Sequence, residues 1–363
     1  MPPIKPRNGI LNIIPYKAGD AKIEGFDRVI KLASNESPMG PSPKAVTAAK
    51  KAIDSGLQLY PDPSCSALRA AIGQAHGLNP EQIICSNGSE ELLHLLAKAY
   101  ATDDDEIIYC QYGFIAYPIT IHAVGATPVM VQEKDYTANV DAILAAVTAK
   151  TKIVNLANPN NPTGTYLAKS EVLRLRDGLR DDIILVLDAA YAEYVDQADY
   201  DAGLDLVDND LENTIVTRTF SKIYGLAGAR VGWAYGPASI LDILNRIRGT
   251  FNVTAASQAA ATAAVQDRDH MAKAKAHNLK WVSKMSRALE NIGLTVTPSQ
   301  GNFILVHFPG GAEQSVATDK FLRTKGIIVR PVGNYDLAGA LRITIGTSAE
   351  NEALLATMAE FFT

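Results

Sequence analysis

The sequence predicts an α/β protein: a mainly parallel sheet between helices, followed by a smaller α+β unit. Two observations carry this. Short apolar runs such as Lys152–Ala157 and Ile183–Asp188 alternate with helix-length segments over the first two-thirds, and near-continuous apolar strands suit a sheet covered on both faces. After Pro237 the pattern changes to a long Ala-rich, charged helical stretch, and then to strands and helices in a different order. A chain of 363 residues with 47% hydrophobic content exceeds one compact domain. The expected division is residues 1–41 as an N-terminal arm and part of a small domain, 42–250 as a large domain, and 251–363 as an interdomain helix with the small C-terminal domain.

Element by element, the first forty residues are rich in Pro and Gly, and Leu32–Pro43 (LASNESPMGPSP) reads as a loop ending in a helix start at Ser42-Pro43. Helices follow near 43–54 and 65–76, then strand Gln82–Ser86, helix Ser89–Tyr100, strand Glu106–Cys110 and helix Ile115–Val124. Next come strand Thr127–Val131, helix Val140–Val147, strand Lys152–Ala157, helix Lys169–Gly178, and strands Ile183–Asp188, Thr214–Thr217 and Arg230–Tyr235. The helical stretch from about Ala255 to Ile292 links the two units. Strand Phe303–His307, helix Gln314–Lys325, strands Ile327–Arg330 and Leu341–Ile345, and a helix from Ala349 close the chain.

Composition narrows the function. A net charge of −5, with 34 Lys and Arg spread along the chain, leaves no basic footprint for nucleic acid. Three cysteines without a C-x-x-C pair argue against a disulfide framework and a zinc site, so no metal is expected. The N-terminus lacks an apolar signal core, and no stretch offers the roughly 18 apolar residues of a membrane span. The expectation is a soluble, cytoplasmic protein acting on small molecules.

Four motifs carry chemistry. Asn87-Gly88-Ser89-Glu90-Glu91 is a Gly-Ser turn opening a helix, whose N–H groups accept a phosphate or merely a cap. Asn158-Pro159-Asn160-Asn161-Pro162-Thr163-Gly164 follows an apolar strand, at the sheet edge where α/β proteins bind ligands; a plain tight turn is the alternative. Ile183–Tyr191 delivers a carboxylate, Asp188, at a strand end and a phenol, Tyr191, three residues later. That carboxylate suits either a protonated pyridine nitrogen or a helix cap. In Thr219–Gly232, Lys222 stands between hydroxyl residues ahead of Arg230, the pattern of an activated amine beside a phosphate site. Gly225 and Gly228 interrupt this last segment, which close backbone approach to a cofactor would explain.

Together NGSEE, NPNNPTG, LDAAY and SKIYGLAGARVG resemble the fold-type I, aspartate aminotransferase-like family dependent on pyridoxal 5'-phosphate (PLP). Within it, LASNESPMGPSP, Tyr60-Pro61-Asp62, IIVRPV and LRITIGT most resemble the histidinol-phosphate aminotransferases. The resemblance implies a seven-stranded, mainly parallel large-domain sheet and a homodimer. It makes Lys222 the Schiff-base lysine and proton shuttle, pairs Asp188 with the pyridine nitrogen, and sets Tyr191 and Asn161 on the ring 3'-oxygen. It stacks Phe114 on the ring and gives the phosphate to Gly88, Ser89, Thr219, Ser221 and Arg230, with Glu90 beside them. It assigns Arg342 and Arg330 to substrate anions, Tyr16 and Asn35 to the substrate side, and Tyr60 to a reach across the dimer interface; Asn302 resembles a loop residue near the substrate.

The implied reaction is transamination between histidinol phosphate and imidazole-acetol phosphate, with glutamate and 2-oxoglutarate as the amino pair. An aromatic amino-acid aminotransferase and a threonine-phosphate decarboxylase share the motifs. Cys110-Gln111-Tyr112-Gly113 and Tyr16-Lys17-Ala18-Gly19 depart from the usual family pattern on the substrate side. A PLP-binding regulatory domain lacks its helix-turn-helix extension here, and no G-x-G-x-x-G follows a strand to suggest a nicotinamide dehydrogenase.

Overall fold

The computed structural model of the chain describes residues 4–15, 19–208 and 212–363. Strand β1 (Ile30–Lys31) precedes the first long helix. The next strands are β2 (Ile83–Ser86), β3 (Glu106–Cys110), β4 (Thr127–Val131), β5 (Thr151–Ala157), β6 (Ile184–Asp188), β7 (Thr214–Thr219) and β8 (Gly232–Tyr235). The last third adds β9 (Thr295–Thr297), β10 (Phe303–His307), β11 (Ile327–Ile328), β12 (Arg330–Pro331) and β13 (Ala340–Thr344).

Strands β2 to β8 form one seven-stranded sheet in the order β2-β8-β7-β6-β5-β3-β4, parallel except for β8, which runs against both its neighbours. Alternation along each strand builds a separate core on each face. On β6, Leu185 and Leu187 join one buried cluster, while Ile184 and Val186 join the other. Both faces are therefore apolar, and the strand reads as an unbroken hydrophobic run.

The second sheet is antiparallel, in the order β12-β13-β10-β9, over a third cluster that includes Trp281, Met285, Leu322 and Leu354. The N-terminal segment threads into this part: β1 pairs in parallel with β11, Leu32 N–H donates to Ile328 O at 2.7 Å, and Thr344 N–H donates to Leu32 O at 2.9 Å.

Several elements differ from their sequence expectation: strand Arg230–Tyr235 begins at Gly232 because Arg230 is left-handed at φ 52, helix Val140–Val147 ends at Ala145, helix Gln314–Lys325 spans Gly311–Thr324, and two more change in kind. The run Ile327–Arg330 splits because β11 takes β1 as partner whereas β12 takes β13. Pro331 has no N–H to give a ladder, in keeping with β12 at the sheet edge. The long helical stretch is two helices, Ala255–Gln266 and Arg268–Glu290, broken at Asp267. The Asp267 carboxylate accepts from Ser42 Oγ at 2.5 Å and from Lys44 Nζ at 3.1 Å, a contact with the start of the first helix that local sequence does not reveal. No helix among the described residues is long and apolar enough to cross a membrane.

Candidate active site

The carboxyl edge of the seven-stranded sheet collects the motifs. The parallel strands β2, β3, β5, β6 and β7 end there, at Gly88–Ser89, Phe114, the Asn158–Gly164 loop, Asp188 and Thr219–Lys222. Strand β8 is antiparallel, so its beginning lies at the same edge and brings Arg230 in. A cavity of about 400 Å³ opens on that edge. Every residue expected on the cofactor side except Gly88 lines it, as do Asn35, Arg330 and Arg342. Tyr60 does not: it is 80% exposed and stacks on Phe251, ring centroids 4.4 Å apart. Tyr16 lies outside the described residues.

One end is built for an anion. Gly88 has φ +77, a conformation that side chains resist, and precedes the helix Ser89–Tyr100, whose first-turn N–H groups carry partial positive charge. A Cβ on Gly88 would lie 2.5 Å from Arg230 Nη2. The guanidinium thus rests on the glycine itself. Arg230, at φ 52, donates from Nη1 to Ser221 Oγ at 3.3 Å, and Ser221 N–H donates to Thr219 Oγ1 at 3.1 Å. A Cβ on Gly232 would collide with Ser89 N, so β8 packs directly on the helix start.

Gly225 after Lys222 does other work than the sequence suggests. Gly225, at φ +68, meets the Gly40-Pro41 backbone rather than the cavity, and a Cβ on Gly228 would meet nothing.

Asp188 is buried, and burial pushes its carboxyl up to about 6, against hydrogen bonds from Tyr117 and Thr217 and the nearby Lys222 charge. Tyr117 donates from its hydroxyl to Oδ2 at 3.1 Å, and Thr217 Oγ1 donates to Oδ1 at 3.4 Å. A cationic partner would hold this carboxylate charged. Phe114 meets Tyr117 edge-on, centroids 6.1 Å apart. Lys222 Nζ lies 5.6 Å from the Tyr191 ring centroid. Burial pushes the Tyr191 phenol up to about 12, opposed by Arg342 and by Asn35.

The opposite wall comes from the antiparallel sheet. Arg342 is buried on β13, donates from Nη2 to Ala33 O at 2.7 Å, and lies 5.5 Å from the Phe303 ring centroid. Arg330 is its direct cross-strand partner. Tyr335 also lines the cavity, its hydroxyl pushed up to about 12 by burial. Asn302 does not line it; its Nδ2 donates to Asn35 O at 3.0 Å and Glu36 O at 3.2 Å, holding the N-terminal segment.

Sequence reasoning missed Tyr117, Thr217 and Tyr335. Tyr117 sits in the first turn of the helix Ala116–Val124, just after Phe114, and its nearness to Phe114 in sequence is the available signal. The donor set fits a phosphorylated pyridine aldehyde: helix N–H groups and a guanidinium for the phosphate, a buried carboxylate for the ring nitrogen, and an amine facing the same space.

Comparison with known proteins agrees with this chemistry. Residues 27–358 match the family described as aminotransferase class I and II. The chain is 51% identical over 358 residues to the histidinol-phosphate aminotransferase of Rhodopseudomonas palustris (strain BisB5), covering 98% of both chains. It is 52% identical over 357 residues to that of Paramagnetospirillum magneticum (strain ATCC 700264 / AMB-1), again covering 98% of both. Among solved structures, it superimposes on histidinol-phosphate aminotransferase from Sinorhizobium meliloti in complex with pyridoxal-5'-phosphate with a TM-score of 0.87 and 28% identity, over 94% of this chain and 91% of the other.

Proposed function

We propose, from the premise that this chain belongs to the class I and II aminotransferase family, that it interconverts histidinol phosphate and imidazole-acetol phosphate in histidine biosynthesis. Glutamate and 2-oxoglutarate are the amino donor and acceptor. The chain is a PLP-dependent aminotransferase acting on small molecules. The observation that carries the substrate reading is the pair Arg330 and Arg342, set opposite each other on β12 and β13 in one cavity wall. Two guanidiniums suit a phosphate dianion, and one serves the carboxylate of an amino-acid donor in its turn.

When bound, PLP supplies an electron sink that makes the substrate α-proton acidic. Lys222 would supply the amine that anchors the cofactor and would take and return the substrate proton. Asp188 stays charged beside a protonated ring nitrogen, and Tyr117 and Thr217 hold its two oxygens in place. The backbone N–H groups of Gly88 and Ser89, with Thr219, Ser221 and Arg230, would bind the phosphate. Asn161 and Tyr191 act on the ring oxygen, and Phe114 stacks on the ring. Asn35 and Tyr16 belong to the substrate side.

The same reading divides the chain at residues 41 and 250, and makes the protein a cytoplasmic homodimer with Tyr60 entering the partner's site. The exposed, stacked Tyr60–Phe251 pair, with Leu57 and Leu59 exposed beside it, supports such an interface.

The test mixes the PLP-loaded protein with histidinol phosphate, glutamate, phenylalanine or threonine phosphate and follows the visible cofactor band in a single turnover. Conversion by histidinol phosphate much faster than by phenylalanine is expected. Faster conversion by phenylalanine, or carbon dioxide release from threonine phosphate, would replace the reading.

A further inference from the structure

The Tyr191 hydroxyl accepts a hydrogen bond from Asn35 Nδ2 at 2.9 Å, and both residues are buried. Thr344 holds the other end of that amide. Asn35 N–H donates to Thr344 Oγ1 at 3.0 Å, and Thr344 Oγ1 donates to Asn35 Oδ1 at 3.0 Å. A hydroxyl has a single hydrogen. The backbone N–H takes one acceptor site of Thr344, the Thr344 hydrogen goes to Asn35 Oδ1, and the amide NH2 faces the Tyr191 hydroxyl. The backbone is pinned as well, since Asn302 Nδ2 donates to Asn35 O and Asn35 sits at φ 57, a region that Asn and Asp tolerate.

A phenol that accepts from Asn35 keeps its own hydrogen for another partner, and Tyr191 lines the cavity. We propose that Asn35 and Thr344 are positioning residues that fix the polarity of the Tyr191 hydroxyl, leaving it a donor toward an anionic oxygen of the bound cofactor. This rests on the functional reading above. It gives Asn35 a role through Tyr191 in addition to its place on the substrate side. It also ties that polarity to the docking of two separate elements, because Asn35 comes from the N-terminal segment and Thr344 from β13, two residues from Arg342.

The titratable groups around the phenol are Asp188 on β6, Arg342 on β13, Lys222 after β7, Tyr194 and Tyr335. None is altered in the test, which titrates the visible absorbance of bound PLP against pH in the loaded enzyme. A donor to the ring oxygen favours its anion, so losing that donor raises the midpoint. In Asn35→Asp the new carboxylate takes the Tyr191 hydrogen, while the backbone conformation is kept.

The expected result is an upward midpoint shift of about one pH unit in Asn35→Asp and in Tyr191→Phe, with no further shift in the double variant. Thr344→Val shifts it part-way, and Thr344→Ser restores the wild-type value. A wild-type midpoint in Asn35→Asp, or additive shifts in the double variant, would overturn the proposal; additivity would mean that the new charge acts directly. Should Asn35→Asp fail to load PLP, the Val and Ser variants at Thr344 decide by the same criterion. A wild-type chain that binds no PLP would instead overturn the functional reading, and this inference with it.

Discussion

Arg342 donates from Nη1 to Asn161 Oδ1 at 2.5 Å, so β13 is bonded directly to the loop at the end of β5. Replacing Arg342 by Ala removes charged hydrogen bonds of about 1.5–3 kcal/mol each. The expected outcome in steady-state kinetics is a fall of roughly 100-fold in kcat/KM for glutamate and for histidinol phosphate alike. Arg342→Lys recovers little, because an ammonium cannot form the two-point fork. An effect on one substrate alone would separate their anion sites.

Lys222→Ala is expected to abolish the visible cofactor band and nearly all turnover, measured by absorbance and by product formation. Retention of both would move the reactive amine elsewhere.

Gly88→Ala tests the anion cradle. The added methyl meets Arg230 Nη2, and φ +77 with ψ 156, a region essentially only glycine occupies, costs an L-residue about 1–3 kcal/mol. Equilibrium titration with PLP should show affinity reduced by about tenfold or more.

Asp188 gives a pH signature in the cofactor-free chain. Its carboxyl is pushed up to about 6 by burial, above the unfolded value near 3.9. Between about pH 4 and 6 the native chain therefore holds a proton that the unfolded chain has released, and unfolding free energy falls as pH rises. The total is on the order of 3 kcal/mol, fully present below about pH 4 and lost above about 6. Burial likewise pushes Glu133 up to about 7, so the slope belonging to Asp188 is the part absent from Asp188→Asn in denaturant titrations across that range.

The fold was legible where local chemistry sets the limits of an element. The helix Ser89–Tyr100 begins after a glycine at positive φ, and Phe303–His307 is an apolar strand bounded by turn residues. It was illegible where a distant partner sets them. Strand β1 is two residues long and exists because β11 lies beside it, and the break at Asp267 depends on Ser42. The site behaves the same way. Lys222, Asp188 and Arg230 stand in motifs whose spacing reflects strand ends, and they line one cavity as the parallel topology requires. Thr344 stands in the LRITIGT segment and Asn302 in a loop, yet nothing local marks either as a partner of Asn35, because that contact joins positions far apart in the chain.

A buried ion pair also lay beyond the sequence. Arg218 Nη2 and Glu193 Oε1 are 2.8 Å apart, each side chain 5% exposed, with the guanidinium 5.5 Å over the Trp233 ring. Removing one partner leaves an uncompensated buried charge, so Glu193→Ala should lose about 3–5 kcal/mol of stability in chemical denaturation.

The threading of the N-terminal segment bears on how the protein is made. Asn35 and Thr344 are separated by 309 positions, and Ile30 waits for Ile327 as its strand partner. During vectorial synthesis the first forty residues emerge long before anything exists for them to pair with, while the seven-stranded sheet can assemble from residues 83 to 235. Closing so long a loop adds little entropy per extra residue, but it comes last. A chain released short of β13 would carry a finished sheet and an unfinished catalytic centre, so folding and competence are separate events in the birth of this enzyme.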